Sequence, residues 1–252
     1  MYKLWSVFAA LILACTLTSA AEVITVPTYD QDRSPLAIIK NGQAHGIYPD
    51  LFRAILIGAG LKPQLLPVPP MRRRIGFENQ LYHLACCANP AWRARPREQE
   101  IQVFSKQFYW TRDMFVFPKG KAFEINKLSQ LSDKLIATVR GFDYRGSEHF
   151  GERVNFQNEA TLMRALALGR ADVGIVNEDI FNASAQKKYL EAGPIHDEAS
   201  LHIRIHRARI DLVEPINKSI DNLISSGRRD QIVKKYLNQH NAISAAVPNA
   251  AP

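Results

Sequence analysis

Three arginines, Arg93, Arg95 and Arg97, follow Trp92 in a proline-bounded turn within the run Ala85–Tyr109. A guanidinium offers N–H donors in a planar fork that matches a carboxylate in a bidentate pair, so arginines at the exit of a strand are candidates for holding an anion. The competing reading is a solvated charge cluster, the ordinary fate of such runs. Other polar or aromatic groups stand where strands end: Tyr29 within Pro27–Asp30, Phe142 and Asp143 within Arg140–Tyr144, and Asn177 and Glu178 before Asp179. Tyr29 either stacks on a ligand or covers a sheet edge. Arg72, Arg73 and Arg74 stand at a helix start and read as surface charge. His202, Arg204 and His206 share one face of an alternating strand, read as a solvated face. No carboxylate or cysteine stands at matching spacing, so neither a metal nor a cofactor is expected. Cys86 and Cys87 are adjacent. Consecutive Cα atoms lie about 3.8 Å apart, closer than the usual disulfide range, so the two read as small buried thiols.

The elements that must position these groups alternate. Glu22–Val26 reads as a strand, and Leu36–Ile39 with the Asn41-Gly42 turn and Gly46-Ile47 as a hairpin. Pro49-Asp50 opens a helix that Gly60 closes. A strand over Lys62–Val68 is broken by Pro69-Pro70, a short helix runs from Met71 to near Gln80, and Tyr82–Cys87 is an uncharged, buried strand. This strand and helix alternation predicts an α/β protein with a mainly parallel sheet. Ile101–Phe104 and Asp113–Phe117 read as further strands, and Pro118-Lys119-Gly120 as a boundary. A second unit repeats the plan: Leu128–Leu131 and Leu135–Val139, an amphipathic helix over Glu159–Leu168, and a strand over Ala171–Val176, ending at Ala192-Gly193-Pro194. Ser200–His206 is a strand, Glu214–Ser225 and Asp230–Leu237 are helices, and residues 241–252 form a small-residue tail read as disordered.

Lys3, the apolar run Leu4–Leu17 and the small residues Thr18–Ala21 form an export signal over residues 1–21. The run is short of the ~20 residues that span a bilayer. Ile12-Leu13-Ala14-Cys15 partly resembles a lipoprotein cleavage box, with Leu13 bulkier than that box prefers, so lipidation at Cys15 is the lesser alternative. The 252 residues carry a formal charge of +8. Such a balance permits nucleic acid, anionic surfaces or anionic ligands. Export argues against nucleic acid, despite Arg228-Arg229 and Lys234-Lys235.

The order of features resembles the family 3 extracellular solute-binding proteins, the periplasmic receptors of polar amino acid importers. The resemblance is carried by Gly46-Ile47-Tyr48-Pro49-Asp50-Leu51, by Arg97 through Phe104-Ser105, by Gly169-Arg170-Ala171-Asp172, and by Ile216-Asn217 through Gly227 to Tyr236. It implies a type II, Venus-flytrap fold: two α/β lobes joined by two crossing strands, closing on a small ligand. The first lobe would comprise residues 22–117 and 200–240, the second 118–199, with crossings near Phe117 and Pro194–Ser200. A monomer handing its ligand to an inner-membrane ABC permease is the implied mode of action.

The resemblance also places an arginine before the Phe-Ser strand to take the ligand's carboxylate. Spacing favours Arg97 and the neighbouring Trp92 favours Arg93, with Arg95 between them. Asn89 falls where relatives use small hydroxyl residues. Two positions depart from the pattern of amino acid binders: Asn177 stands where an aspartate holds the ligand's ammonium, with Glu178 adjacent, and Phe142-Asp143 stands where a threonine is usual. A neutral carboxamide cannot offset an ammonium in a poorly solvated cleft. The expected role is a non-enzymatic receptor. Two alternatives are a periplasmic enzyme resembling cyclohexadienyl dehydratase, with Glu178 or Asp143 as acid, and a soluble receptor for a membrane sensor.

Overall fold

The computed structural model describes residues 21–246, so the expected leader, with Cys15, lies outside the described residues. The chain opens with β1 (Val23–Thr28), a hairpin of β2 (Ile38–Lys40) and β3 (Gln43–His45), α1 (Ile47–Gly58) and β4 (Lys62–Pro67), which lies parallel to β1. Next come α2 (Pro70–Glu78), β5 (Leu84–Ala88), a short α3 (Pro96–Ile101) and the long β6 (Gln102–Pro118). The second unit holds β7 (Leu135–Val139), β8 (Glu152–Phe156), α4 (Glu159–Ala167), β9 (Val173–Asn177) and α5 (Glu178–Ala183). A second long strand, β10 (Leu190–His206), leads back to α6 (Val213–Ser225) and α7 (Arg228–Ala246).

Periodicity decides how these pack. Leu51, Phe52 and Ile55 fall on one face of α1 and are fully buried. Each such side chain contributes about 1.5–3 kcal/mol by leaving water. Helix α6 buries Ile216, Ile220 and Leu223 at helical spacing, and its Ser219 hydroxyl donates to the Ile55 carbonyl at 2.7 Å, tying α6 to α1. Helix α4 is held at its start by Asn158, whose Oδ1 accepts from the Thr161 backbone N–H at 3.0 Å. That cap fixes where Glu159 sits.

One six-stranded sheet, in the order β5-β10-β6-β9-β7-β8, joins the two lobes. Strands β6 and β10 lie antiparallel along their whole length, from Gln102 opposite His206 to Pro118 opposite Leu190. At one end β10 pairs with β5, and at the other β6 pairs with β9 from Asp113 to Val116. Partner exchange on β6 therefore falls N-terminal to Phe117.

Several sequence expectations change. Ile101 ends α3, and Gln102–Phe104 and Asp113–Phe117 are parts of one 17-residue strand, because the chain pairs with β10 all the way between the lobes. Gly193 and Pro194 lie within β10, at a register shift between Ala192 and Ile195, where a Cβ on Gly193 would stand 2.5 Å from the Phe117 ring. Leu128–Leu131, at the start of the second unit, is a 3-10 turn. Helix α7 reaches Ala246, into the segment read as tail, and residues 247–252 lie outside the described residues.

Gly46 sets the entry to α1. Its φ is +107°, and an added Cβ would lie 2.8 Å from the Leu36 carbonyl oxygen and 3.0 Å from the Ala37 Cα, both backbone atoms with little freedom to move. Gly46→Ala is expected to lower unfolding free energy by about 1–3 kcal/mol, measured by urea denaturation.

Candidate ligand-binding site

A cavity of about 220 Å³ lies between the lobes, outside the carboxyl ends of β1, β4, β5, β7 and β9. That is where loops leave an α/β sheet and ligands bind. Tyr29, Tyr48, Arg73, Trp92 and Arg93 line it on one side, and Phe142, Asp143 and Asn177 on the other. Local sequence positions each group. Pro69-Pro70 ends β4 and starts α2, which puts Arg73 in the first turn. Pro90 begins the 3-10 turn carrying Trp92 and Arg93, and the Asn89 Oδ1 caps that turn by accepting from the Ala91 N–H at 2.9 Å.

Asn89, Arg97 and Glu178 do not line the cavity. The Asn89 amide donates to the Ser200 carbonyl at 2.9 Å, which completes its work as a cap. Arg97 is exposed on α3, as is Arg95 before it, and Glu178 pairs with Arg112 at 2.7 Å. Asn177 reaches the cavity wall with its hydrogen bonds committed. Its Oδ1 accepts from the Asp179 N–H at 3.1 Å, and its amide donates to Thr111 Oγ1 at 2.7 Å, the Arg112 carbonyl at 3.0 Å and Asp113 Oδ1 at 3.3 Å. It splices β9 to β6.

A buried ion pair that spans the cleft is not legible in the sequence. Arg33, from the loop after β1, is buried and paired with Glu159 at the start of α4, across the cleft. Its Nε donates to both carboxylate oxygens, at 3.0 and 3.2 Å, and its Nη2 also donates to Oε1. The guanidinium carbon stands 5.1 Å from the Tyr29 ring centroid and 4.8 Å from that of Phe142, one ring from each lobe. Burial works against the charge on Arg33, but Glu159, with the smaller help of Tyr29 and Tyr48, outweighs it and holds the arginine protonated. The backbone of Arg33 is pinned by a reciprocal bridge with Ala37, with Arg33 N–H donating at 2.7 Å and Ala37 N–H at 3.2 Å.

Three further expectations are corrected. Cys86 and Cys87 are joined in a disulfide that lines the cavity, not two thiols; Cys87 adopts a φ of +69°, so the local backbone departs from the extended strand assumed for them. The face of β10 carrying Arg204 and His206 is buried, not solvated. Helices α2 and α3 cover it: Arg204 stacks at 4.0 Å from the Phe77 ring centroid, pairs with Glu98 at 3.3 Å and donates to Gln102 Oε1. Likewise Arg73 and Arg74, read as surface charge, line the cavity. Among the described residues no three His, Cys, Asp or Glu side chains group as metal ligands, and no helix is long and apolar enough to cross a membrane.

The model of the bacterial extracellular solute-binding proteins, family 3, matches residues 26–239. The chain belongs to that family. No curated protein sequence matches it. Among solved structures, the amino acid ABC transporter substrate-binding protein AbpA from Streptococcus pneumoniae bound to L-arginine is similar with a TM-score of 0.69 at 16% identity, over 88% of this chain and 96% of that one. The ancestral amino acid-binding protein AncCDT-1, a precursor of cyclohexadienyl dehydratase, gives 0.69 at 19% identity, over 85% and 95%. The GluR0 ligand-binding core from Nostoc punctiforme in complex with L-glutamate gives 0.69 at 18%, over 85% and 98%. At these identities the likeness establishes the two-lobed fold.

In this solute-binding protein the cavity's electrostatics are set by pairing. Arg33, Arg74 and Arg204 each meet a glutamate, Arg74 through Glu78 at 3.2 Å. Arg73 and Arg93 have no ion pair among the described residues. Asp113 lines the cavity with its pKa pushed up to about 6, chiefly because burial strips water from its charged form, against the nearby Arg33 and the Asn177 hydrogen bond.

Two outcomes follow from this geometry. Glu159→Leu leaves a buried guanidinium unpaired and is expected to cost about 3–5 kcal/mol in urea denaturation, whereas adding Arg33→Met to it restores most of that loss. Asp113 holds its proton to higher pH when folded than when unfolded. Its contribution to stability is therefore complete below the unfolded value of 3.8 and lost as pH rises through about 6. Asp113→Asn is expected to flatten the decline in unfolding free energy between about pH 4 and about pH 7, measured by denaturation at each pH.

Proposed function

We propose that this chain is a periplasmic receptor whose lobes close on a small polar, carboxylate-bearing solute for delivery to an inner-membrane ABC permease. The observation that supports this most is the pair Arg73 and Arg93, two cavity-lining cations with no ion pair among the described residues, facing a second wall made by the other lobe. On this reading the lobes are residues 22–117 with 200–240, and 118–199, and the middle parts of β6 and β10 act as the hinge. The monomer is exported by the leader over residues 1–21. Tyr29, Trp92, Arg93, Phe142, Asp143 and Asn177 contribute to the site, Asn177 by fixing the wall. A ligand that touches both lobes shifts the population toward the closed form by its differential affinity for it.

One observation favours a second reading. Asp113, in the cavity with its pKa pushed up to about 6, has the property of a general acid that protonates a leaving hydroxyl. Incubation with prephenate and arogenate, followed by chromatography for the aromatic product, separates an enzyme from a receptor.

A thermal-shift screen of the purified protein against amino acids, organic acids and polyamines tests the receptor reading. At least one carboxylate-bearing solute is expected to raise the melting temperature. Replacing Arg73 and Arg93 together by methionine is expected to weaken that solute by about 3 kcal/mol or more, measured calorimetrically, since a charged hydrogen-bonding partner contributes about 1.5–3 kcal/mol. Unchanged affinity in the double variant would count against this site.

A further inference from the structure

The cleft already contains the arrangement that would receive a ligand's cation, and the protein fills it with its own side chain. Tyr29 and Phe142 offer aromatic faces from opposite lobes, and Glu159 supplies the carboxylate, the combination that holds an ammonium or guanidinium group. Arg33 occupies it, 5.1 and 4.8 Å from the two ring centroids and with the Glu159 carboxylate taken up by its Nε and Nη2. A second wall position, the end of β9, holds Asn177 with its carboxamide committed to Thr111, Arg112, Asp113 and Asp179.

The remaining charges run the opposite way. Arg73 lines the cavity with its Nε buried and without a hydrogen-bond partner, and its guanidinium lies 4.6 Å from the Tyr29 centroid. The Asp30 carboxylate favours the charge on Arg73 without forming an ion pair with it, Arg33 and Arg93 oppose that charge, and the Arg93 Nη1 donates to the Trp92 carbonyl at 2.9 Å. Two guanidinium groups that repel one another, with no carboxylate paired to either among the described residues, are completed by an anion. The two cavity carboxylates offer little to a cation: Asp143 is exposed and screened by water, and Asp113 already accepts from Asn177.

We infer that the ligand is a small dicarboxylate without an ammonium or guanidinium group, held by Arg73 and Arg93, while Arg33 stands in the place of the ligand's cation. This deepens the receptor reading above and depends on it. Because a bidentate carboxylate is bound by the fork and not by charge alone, lysine at either position is a poor substitute.

Isothermal titration of the purified protein near neutral pH with succinate, L-malate and 2-oxoglutarate, beside L-glutamate, L-glutamine and L-arginine, tests it. At least one of the three dicarboxylates is expected to bind at least about tenfold more tightly than any of the three amino acids, a difference of about 1.4 kcal/mol. Arg73→Lys and Arg93→Lys, which keep the charge and alter the fork, are each expected to weaken that dicarboxylate about tenfold or more. Arg33→Ala empties the cage between Tyr29, Phe142 and Glu159 and is expected to create binding of methylguanidine that the parent protein lacks. If an amino acid binds as tightly as every dicarboxylate, the ligand class is wrong while the receptor reading survives. If no solute of either group binds, this inference is overturned, and the broader thermal-shift screen decides the receptor reading separately. If methylguanidine binds the parent protein, or does not bind a folded Arg33→Ala variant, the stand-in role of Arg33 is overturned.

Discussion

A guanidinium and a carboxylate that are 126 residues apart in the chain meet in the cleft, and the arrangement of the lobes depends on that contact. Removing two charges from water costs several kcal/mol per ion, and attraction offsets this only where the geometry is good and the remaining donors and acceptors are engaged. Arg33 and Glu159 meet that condition through the shared use of Nε and Nη2 by the carboxylate. The condition reaches outward into backbone structure. The Arg33–Ala37 bridge fixes one partner, and the Asn158 cap fixes the other at the first turn of α4, where the helix dipole also favours a negative charge.

Strands β6 and β10 supply the second constraint. Their ladder carries the chain from one lobe to the other, with register shifts between Ala192 and Ile195 and between His202 and Arg204. Separation of the lobes breaks the Arg33–Glu159 pair and returns both groups to water, which repays part of the lost attraction. The pair therefore biases the closed arrangement by less than its gross Coulomb energy. On the proposed reading, a ligand held on one side by arginines and on the other by the loop after β7 would add its own bias to that of the pair.

The elements were mostly legible in the sequence because their signals are local. Proline and glycine bracket α1, proline opens α2, Asn158 and Gly169 bound α4, and apolar periodicity marks the buried faces of α1 and α6. The long strands were read in pieces because turn-forming residues such as Gly193 and Pro194 sit inside β10, where tertiary pairing overrides their preference. The site was less legible. Tyr29, Trp92, Arg93, Phe142, Asp143 and Asn177 stand at strand ends, where chain order alone brings attention, and they line the cavity. Asn89 and Glu178 occupy similar places but turn to a cap and an ion pair, a difference made by orientation and not by position. Arg33 and Glu159 carry no shared local signal. Nor does Arg204, which an alternating pattern assigned to water and which α2 and α3 bury.

The chain's formal charge of +8 has little bearing on the cleft. Five arginines line the cavity, and a count of them would predict a strong field there. Glutamates cancel three of the five, each glutamate coming from a different part of the fold: Glu78 from the same helix as Arg74, Glu98 from α3, and Glu159 from the opposite lobe. What discriminates among ligands is the remainder. A binding site rejects most strongly the solute that leaves its own buried polar groups unpaired, because the desolvation already suffered by those groups is then not recovered. Arg73 carries a buried, unpartnered Nε, and Arg93 stands beside it. On the receptor reading, a solute without an acidic group would leave both unsatisfied, whatever its fit to the aromatic walls, so selectivity in this cleft would rest on which charges the protein leaves uncancelled.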